Sequence, residues 1–455
     1  MQHSSWAALA RRTRLPRDTP GTDLLVYLAF AAFALITAFV PEYYGHRVWG
    51  AFAATGYLLA ATHSTWLLVR ARRGLPRGGR WWHSRWVGIL LTVVGALLAP
   101  LIYLILRRIS SAERPVDPGT WAAQPEVWVV ERAARLLLDT GTPYLDIATL
   151  DRLPGPYDYT PYGPVMALFG LPKALADEST APALAAGTDV RVVFVFIAAA
   201  CLLASWLILS RPRIPVPAAQ LALAAPPTTL TAAVAGPDLA VLGLLILAIA
   251  LAARLRAAAA GVILALAIAT KLTAVPAVLV LAVLLARGGT AALARYTTAL
   301  LATIAAVSVP IWLRAPEAFI EHVVRFPTGT AAAESPATSP LPGHLLASTG
   351  PVGHAAALLL LATAAVLVAA WVLASPPRTA GDAAWRLAVG LGVAMVLAPA
   401  TRWGYLIYPL VLTGVRLALP ERSEDERAPT TPVTTASPPL SSSRAPRSPG
   451  RFRER

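Results

Sequence analysis

Charged side chains that could do chemistry cluster in one stretch of the sequence, residues 125–144. Glu126, Glu131 and Asp139 supply carboxylates there, and arginines stand between them. The stretch lies in a long polar segment, residues 107–189, which hydrophobic segments of bilayer-crossing length flank on both sides. A channel or a scaffold has little use for so long a polar excursion, whereas an enzyme working at the bilayer surface needs carboxylates that can meet a lipid headgroup. The segment is therefore the predicted place of a functional site.

The same stretch predicts an amphipathic helix over residues 125–139. Its apolar side chains fall on one face at helical spacing. Pro125 suits a first helical turn and Gly141 suits the end of the helix. We expect this helix to lie along the membrane interface with its apolar face in the lipid boundary. Glu126 would then sit at its N-terminal end, where the helix dipole favours an ionised carboxylate; the alternative is that Glu126 is only a first-turn helix acid.

Composition predicts an all-α polytopic membrane protein. The mean hydropathy is +0.59, 56% of the residues are apolar and only 14% are charged, which is outside the usual balance of soluble domains. About twelve apolar segments approach the length of about 20 residues needed to cross the hydrocarbon core. The two that flank Lys271 are short, so they are expected to be tilted or re-entrant, and Pro226-Pro227 should kink the fifth. The predicted segments are Leu24–Val40, Val48–Val69, Val87–Leu106, Val190–Leu209, Ala218–Val234, Leu239–Ala253, Ala257–Thr270, Thr273–Ala286, Ala291–Trp312, Gly353–Ala374, Ala383–Leu397 and Trp403–Leu417.

Arginine placement predicts the orientation. The net charge of +15 comes mainly from arginines beside the apolar segments, which favours contact with anionic lipid headgroups over nucleic-acid binding. With a cytoplasmic N-terminus, nearly every internal loop is arginine-rich, and Arg107 and Arg108 are a mild exception. The chain is thus predicted to be a multi-pass cell-membrane protein with both termini in the cytoplasm. Arginines before the first segment, without a small-residue cleavage site after it, predict a retained anchor, and the single cysteine, Cys201, excludes a disulfide framework.

This orientation divides the chain into seven predicted regions. They are a basic cytoplasmic N-terminus (1–23), N-terminal transmembrane segments (24–106), an outer loop with the interfacial helix (107–189), central transmembrane segments (190–313), a second outer loop (314–352), C-terminal transmembrane segments (353–418) and a disordered cytoplasmic tail (419–455).

Several outward-facing cations could bind a phosphate: Lys271, Arg402, Arg314, Arg325, His322 and His344. Lys271 lies between two apolar segments, where an unpaired ammonium is costly and usually functional, or else it reaches the interface from a helix end. Tyrosines at 144, 157, 159 and 162 could stack on a sugar or belong to the interfacial aromatic belt. No His, Cys and carboxylate spacing indicates a metal site and no glycine-rich nucleotide loop is present. We therefore predict no metal and no cofactor, and a nucleotide-sugar donor is disfavoured.

The order of several short motifs resembles glycosyltransferase family 87, from about residue 117 to about residue 415. The motifs are Glu126-Val-Trp-Val with Ala133-Ala134, Leu137-Leu138, Gly141 and Pro143-Tyr144; Tyr157-Asp158-Tyr159-Thr160-Pro161-Tyr162-Gly163-Pro164; Gly236-Pro237-Asp238; Ala269-Thr270-Lys271-Leu272-Thr273; and Pro399-Ala400-Thr401-Arg402-Trp403-Gly404-Tyr405.

The resemblance implies a GT-C-type transmembrane helix bundle with its catalytic site under the long first outer loop. It also implies transfer of a hexose, usually mannose, from a polyprenyl-phosphate donor to a lipid-linked or cell-envelope acceptor. The family's catalytic acid, commonly Asp, corresponds to Glu126. Inverting transfer needs a base for the acceptor hydroxyl and cations for the departing phosphate. We predict Glu126 as the base, with Glu131 and Asp117 as fallbacks, and a substrate site formed by Lys271, Arg402, Tyr144, Asp158, Tyr162 and His344.

Two other function classes fit the same pattern of segments. A secondary transporter with twelve spans agrees with the segment count and the charge bias, but such transporters usually have related halves and charges near the midplane. A non-catalytic envelope-assembly protein could use the same outer loop to dock a partner. The concentration of acids in one outer loop favours the enzyme.

Overall fold

A computed structural model describes residues 19–40, 42–75, 79–110, 117–176 and 181–419, apart from the side chains of residues 182 and 183. All of these described residues belong to one compact unit. The predicted basic N-terminus up to residue 18, Arg77 of the first predicted internal loop and the predicted disordered tail from 420 onward lie outside the described residues.

Within those residues the secondary structure is helical, together with one isolated parallel bridge between Thr338 and Thr401. We number the α-helices in chain order: α1 (Pro20–Ala38), α2 (Tyr44–Arg72), α3 (Trp86–Ser110, with a π-helical turn at Val93–Leu98), α4 (Pro125–Thr140), α5 (Val165–Phe169), α6 (Leu171–Leu175), α7 (Pro182–Gly187), α8 (Val190–Ile208), α9 (Val216–Ala219), α10 (Pro226–Val234), α11 (Pro237–Ala253), α12 (Ala257–Thr270), α13 (Ala277–Ala286), α14 (Thr290–Arg314), α15 (Pro316–Ile320), α16 (Phe326–Thr328), α17 (Pro342–Ala347), α18 (Pro351–Ala374), α19 (Ala380–Leu397) and α20 (Ile407–Ala418).

Six of these helices, α1, α3, α8, α14, α18 and α19, are long and apolar enough to cross a membrane. They agree with the predicted all-α membrane class. Each of the other predicted segments is also helical, but it is shorter, interrupted or less apolar. The count of twelve crossings therefore stays a prediction.

Two interruptions explain part of this difference. The fifth predicted segment does not merely kink: its helix ends in a π-helical turn at Gln220–Ala224, Ala225 is extended, and α10 restarts at Pro226. Proline forces this break because it has no N–H and restricts the preceding residue to extended backbone. Lys271 is likewise extended (φ −153°, ψ 131°) between α12 and a short 3-10 turn. The helix is therefore interrupted at Lys271, a polar residue between two apolar helices.

The central element of the fold is α11. It is apolar on all sides and almost completely buried, as expected for a helix surrounded by other helices. It packs against α8, α12, α13, α19 and α20. A second core, around Tyr27, Trp49 and Tyr57, joins α1, α2 and α3 to the region of α9 and α10.

The amphipathic helix α4 begins at the predicted residue and ends one residue beyond the predicted end. Most of its apolar face is covered by protein and not by lipid, although Leu138 at its C-terminal end is 47% exposed. Val127, Val130 and Ala134 are fully buried, and this face packs against α5, α6 and α8. The reason is that the segment after α4 folds back and covers the helix, so protein replaces the lipid that we predicted as its partner.

Candidate active site

Backbone contacts fix the start of α4. The Gln124 amide donates to the Val234 carbonyl at 2.8 Å, which ties the helix to the end of α10. Pro125 begins the helix and Gly141 ends it in the left-handed conformation (φ 77°), which glycine adopts at little cost. Glu126 therefore extends from a rigid first turn.

Glu126 forms an ion pair with Arg402, from Oε1 to Nη1. Arg402 is extended and follows the bridge residue Thr401, whose amide and carbonyl bond the backbones of Ala337 and Ser339, both at 2.9 Å. The charge of Glu126 raises the pKa of the Arg402 guanidinium, against the opposing effect of burial. Among the described residues, Glu126 Oε2 and Arg402 Nε are buried without a hydrogen-bond partner. Each side chain of the pair thus has one polar atom whose hydrogen-bonding capacity is unused.

A second ion pair joins Lys271 Nζ to Asp238 Oδ1 at 2.6 Å. Asp238 lies in the first turn of α11 and accepts a further hydrogen bond from the Tyr408 hydroxyl at 2.7 Å. The Tyr408 hydroxyl also lies 3.1 Å from Thr273 Oγ1. The ammonium of Lys271 faces the Tyr405 ring, 4.6 Å from its centroid. The lysine is therefore held from several sides.

Glu126, Arg402 and Lys271 line one cavity of about 280 Å³, a volume close to the lower end of small-molecule sites at about 300 Å³. Its charged lining residues are Glu126, Lys271 and Arg402. Tyrosine, proline and apolar side chains form the walls: Pro125, Val129, Pro156, Tyr157, Tyr159, Pro161, Tyr162, Leu272, Phe326, Pro327, Pro336, Ala337, Ala400 and Tyr405, with Thr273 and Ser335. One carboxylate can here act on a ligand that two cations and several aromatic rings hold.

The structure places the other predicted acids outside this cavity. Glu131 binds the Arg108 guanidinium through both oxygens, at 2.9 and 2.7 Å. Asp117 caps a 3-10 turn by accepting from the Gly119 amide at 3.0 Å. Asp158 forms a bidentate pair with Arg152 at 2.7 Å, and this pairing lowers the pKa of the Asp158 carboxyl against the effect of burial. All three acids have structural partners where they stand.

Two more residues of the predicted substrate site also lie outside the cavity lining. The Tyr144 hydroxyl donates to the Tyr162 carbonyl at 3.0 Å, and its ring is buried. Nδ1 of His344 lies 2.8 Å from the Pro399 carbonyl oxygen. Both residues hold segments that carry the lining residues, and Tyr162 itself is part of the lining.

The remaining cation candidates are engaged elsewhere. Arg314 donates to the Thr140 carbonyl at 3.1 Å, and Arg325 pairs with Glu321 at 3.1 Å. His322 is fully buried, and burial lowers the pKa of its imidazole. None of the three lines the cavity. No group of three or more His, Cys, Asp or Glu side chains that could hold a metal ion occurs in the part of the chain that the structure describes.

No role was predicted for four residues of this region: Asp238, Tyr405, Tyr408 and Thr273. Asp238 carried a signal, since it is an isolated acid just before a wholly apolar run, and such an acid needs a buried partner. Its partner Lys271 is 33 positions away along the chain, so no local pattern connects them. The tyrosines had no signal that separates them from the aromatic belt.

One comparison with known proteins identifies the family. The model of glycosyltransferase family 87 matches residues 159–399, more than half of the 455-residue chain. The matched range contains Tyr162, Asp238 and Lys271, whereas Glu126 and Arg402 lie outside it. Neither the curated proteins nor the solved structures include a significant match. The family match confirms the resemblance drawn from the motifs: the chain belongs to glycosyltransferase family 87 and is a glycosyltransferase.

Proposed function

We propose that this glycosyltransferase moves a hexose, mannose in the first instance, from a polyprenyl-phosphate donor to a lipid-linked or cell-envelope acceptor. The reaction is a single displacement with inversion at the outer face of the cell membrane. The observation that carries the proposal is that Glu126, Lys271 and Arg402 line one cavity in a chain of family 87.

Glu126 acts as the general base in this proposal. It accepts the proton of the acceptor hydroxyl while the acceptor oxygen bonds to the anomeric carbon of the sugar. The bond from that carbon to the phosphate oxygen breaks at the same time, and its electron pair leaves with the polyprenyl phosphate. The Glu126 carboxylate lines the cavity, where it can take up this proton.

Arg402 and Lys271 stabilise the negative charge that develops on the leaving phosphate. Guanidinium and ammonium groups bind phosphate oxygens with charge-assisted hydrogen bonds, which are about twice as strong as neutral ones, and such fixed charges act where charge develops in the transition state. The charge balance supports a donor with a single phosphate. The two cations already face two acids, Glu126 and Asp238, so little net positive charge remains for a diphosphate.

The apolar part of the cavity lining supports a lipid-linked donor. Val129, Leu272 and Phe326 lie beside the charged groups, and Leu272 is 46% exposed. A polyprenyl chain would find apolar surface there next to the phosphate site. The half-buried ring of Tyr157 is available to stack on a sugar face, whereas the rings of Tyr159 and Tyr162 are buried.

Arginine placement supports the outer face as the side of transfer. Arg70, Arg72 and Arg73 at the end of α2 and Arg254 and Arg256 between α11 and α12 occupy predicted internal loops. With both termini in the cytoplasm, α4 and the segment from α15 to α17 then face outward.

The donor class is tested with purified protein in lipid nanodiscs. Mannose-labelled polyprenyl-phosphate mannose and GDP-mannose are supplied in parallel, each with a lipid extract as the source of acceptor. We expect labelled product from the polyprenyl-phosphate donor alone. Product from GDP-mannose alone would overturn the proposed donor, while transfer of glucose or arabinose from the corresponding polyprenyl phosphates would change only the sugar.

A further inference from the structure

The two ion pairs of the cavity are built differently. Asp238 binds Lys271 and also accepts a hydrogen bond from Tyr408, so this pair is supported from behind. The pair of Glu126 and Arg402 has no such support: among the described residues, one oxygen of the first and one nitrogen of the second are buried without partners. The pair of Glu126 and Arg402 therefore leaves hydrogen-bonding capacity unused in a buried site, which is costly.

Arg402 also has access to the cavity while it is paired. Its side chain is 28% exposed and that of Glu126 is 18% exposed, and both line the cavity. Guanidinium groups bind phosphate with two parallel hydrogen bonds. A phosphate in the cavity would thus offer Arg402 two acceptors where the structure gives it one oxygen of Glu126.

We propose that Arg402 exchanges Glu126 for the phosphate of the donor, so that donor binding releases the carboxylate that serves the acceptor. The inference rests on the proposed function and deepens it. In the exchange, the contact between Arg402 Nη1 and Glu126 Oε1 is lost and contacts between the guanidinium and phosphate oxygens form, with no covalent change. Lys271 keeps Asp238 throughout and supplies a fixed charge.

The exchange has two consequences. Glu126 competes with the phosphate for Arg402, so removing its charge makes phosphate binding tighter. The acceptor finds a free carboxylate only after the donor has bound, so substrates bind in the order donor, then acceptor. An ion pair that stays closed when the donor binds does not predict the second result, and it predicts that any gain from removing the charge of Glu126 persists when Arg402 is replaced as well.

The test measures binding of a short-chain polyprenyl phosphate to purified protein in nanodiscs by calorimetry. The variants are Glu126→Gln, Arg402→Gln and the double variant, with Asp139→Asn as the matched control. Asp139 is an exposed acid in the last turn of the same helix and lies outside the cavity lining. Its replacement removes one negative charge without touching the pair.

We expect Glu126→Gln to bind the polyprenyl phosphate at least about 5-fold more tightly than the unchanged protein, within the range of about 5- to 150-fold typical of coupled sites. Asp139→Asn should bind as the unchanged protein does, Arg402→Gln should bind more weakly, and the double variant should lose the gain. Equal or weaker binding by Glu126→Gln would overturn the exchange.

A second measurement uses the unchanged protein, so it holds even if a variant fails to fold. An acceptor analogue should bind at least about 5-fold more tightly when polyprenyl phosphate is present. Equal binding with and without it would contradict the exchange and leave the proposed donor standing, provided that transfer from polyprenyl-phosphate mannose is observed. Absence of both polyprenyl-phosphate binding and transfer would overturn the proposed function as well.

Discussion

Lys271 depends on Asp238 for its place in the cavity. An ammonium group among apolar helices is costly unless a partner compensates its charge. Asp238, which lies in α11 and is 6% exposed, supplies the compensating negative charge. The Tyr408 hydroxyl donates a hydrogen bond to Oδ1 of Asp238 and holds this carboxylate in place. Asp238 thus acts through Lys271 as a positioning residue in the proposed phosphate site.

We predict that Lys271→Ala and Asp238→Asn both weaken use of the polyprenyl-phosphate donor. Loss of a charge-assisted contact costs about 1.5–3 kcal/mol, so KM for the donor should rise by about 10- to 150-fold. Initial rates at varied donor concentration measure this effect. Arg314→Ala, which changes a cation outside the cavity, is the control. An unchanged donor KM in both variants would mean that Lys271 is only an anchor.

A network of ion pairs fastens α4 to the helix bundle. Arg108 at the end of α3 binds Glu131 of α4 and Asp189 before α8, the latter at 3.0 Å. Asp189 also binds Arg191, whose side chain is fully buried. The network thus links three helices that hold the Glu126 turn in position.

We predict that Glu131→Gln destabilises the fold without removing catalysis. It leaves Arg108 with a weaker partner in a buried site, a loss of about 1–3 kcal/mol for a group that is left unsatisfied. Thermal unfolding should begin at a lower temperature, while turnover per folded molecule below that temperature stays close to the original. Loss of turnover with unchanged unfolding would instead assign the catalytic role to Glu131.

His322 fastens the segment after α14 to the segment between α4 and α5. The Thr160 amide donates to His322 Nδ1 at 2.8 Å, and Nε2 lies 2.8 Å from the Leu145 carbonyl. This pattern requires a neutral ring with its proton on Nε2. Phe326, four residues further on, stacks on Tyr159 at 4.4 Å and forms a wall of the cavity.

The stability of this contact should depend on pH. Burial lowers the pKa of His322 in the folded state, with Arg132, Glu321 and Asp158 as the charged neighbours. As the pH falls, the unfolded state therefore binds a proton at this histidine at a higher pH than the folded state does. The contribution of the neutral His322 to the free energy of unfolding is thus complete above about pH 6.5. It is lost as the pH falls below that value, by at most about 1.4 kcal/mol per pH unit.

Thermal unfolding at about pH 7.5 and about pH 5.5, on either side of the ordinary histidine pKa, measures this dependence. We expect the unfolding temperature of the unchanged protein to fall more on acidification than that of His322→Gln, which cannot titrate at this position. An equal fall in the two proteins would contradict the role of His322.

Part of the structure around α4 could be predicted from the sequence, and part could not. The bounds of α4 follow from Pro125 and Gly141 because capping signals are local. What covers its apolar face does not follow, because the spacing of apolar residues predicts a buried face without indicating whether lipid or protein covers it. The pairing of Glu126 with Arg402 spans 276 positions, so each residue was predictable as a type and their contact was not.

For the whole molecule, the proposed mechanism requires that the cavity opens on the outer side. The bias of arginines toward the predicted internal loops is the basis of that orientation. Leu153, 90% exposed in the predicted first outer loop, and Arg73, exposed at the end of α2, are suitable reporters of the two sides.

We predict that Leu153→Cys reacts with an impermeant thiol reagent in intact cells and that Arg73→Cys reacts only after the membrane is opened. The native Cys201 is buried and is replaced by serine in both proteins as the background. Mass shift on a gel reports the reaction. The reverse pattern of labelling would place the cavity in the cytoplasm and contradict transfer at the outer face.

The central claim, that Glu126 is the base of a sugar transfer, is tested most directly by the transfer rate of Glu126→Gln with polyprenyl-phosphate mannose, beside Asp139→Asn. Glutamine keeps the shape of the side chain but cannot accept the proton. We predict a fall of about 10²- to 10⁴-fold, the usual contribution of a general base, in a variant that still folds, and an unchanged rate in the control. A rate above about a tenth of the original, on the scale of that contribution, would contradict the account.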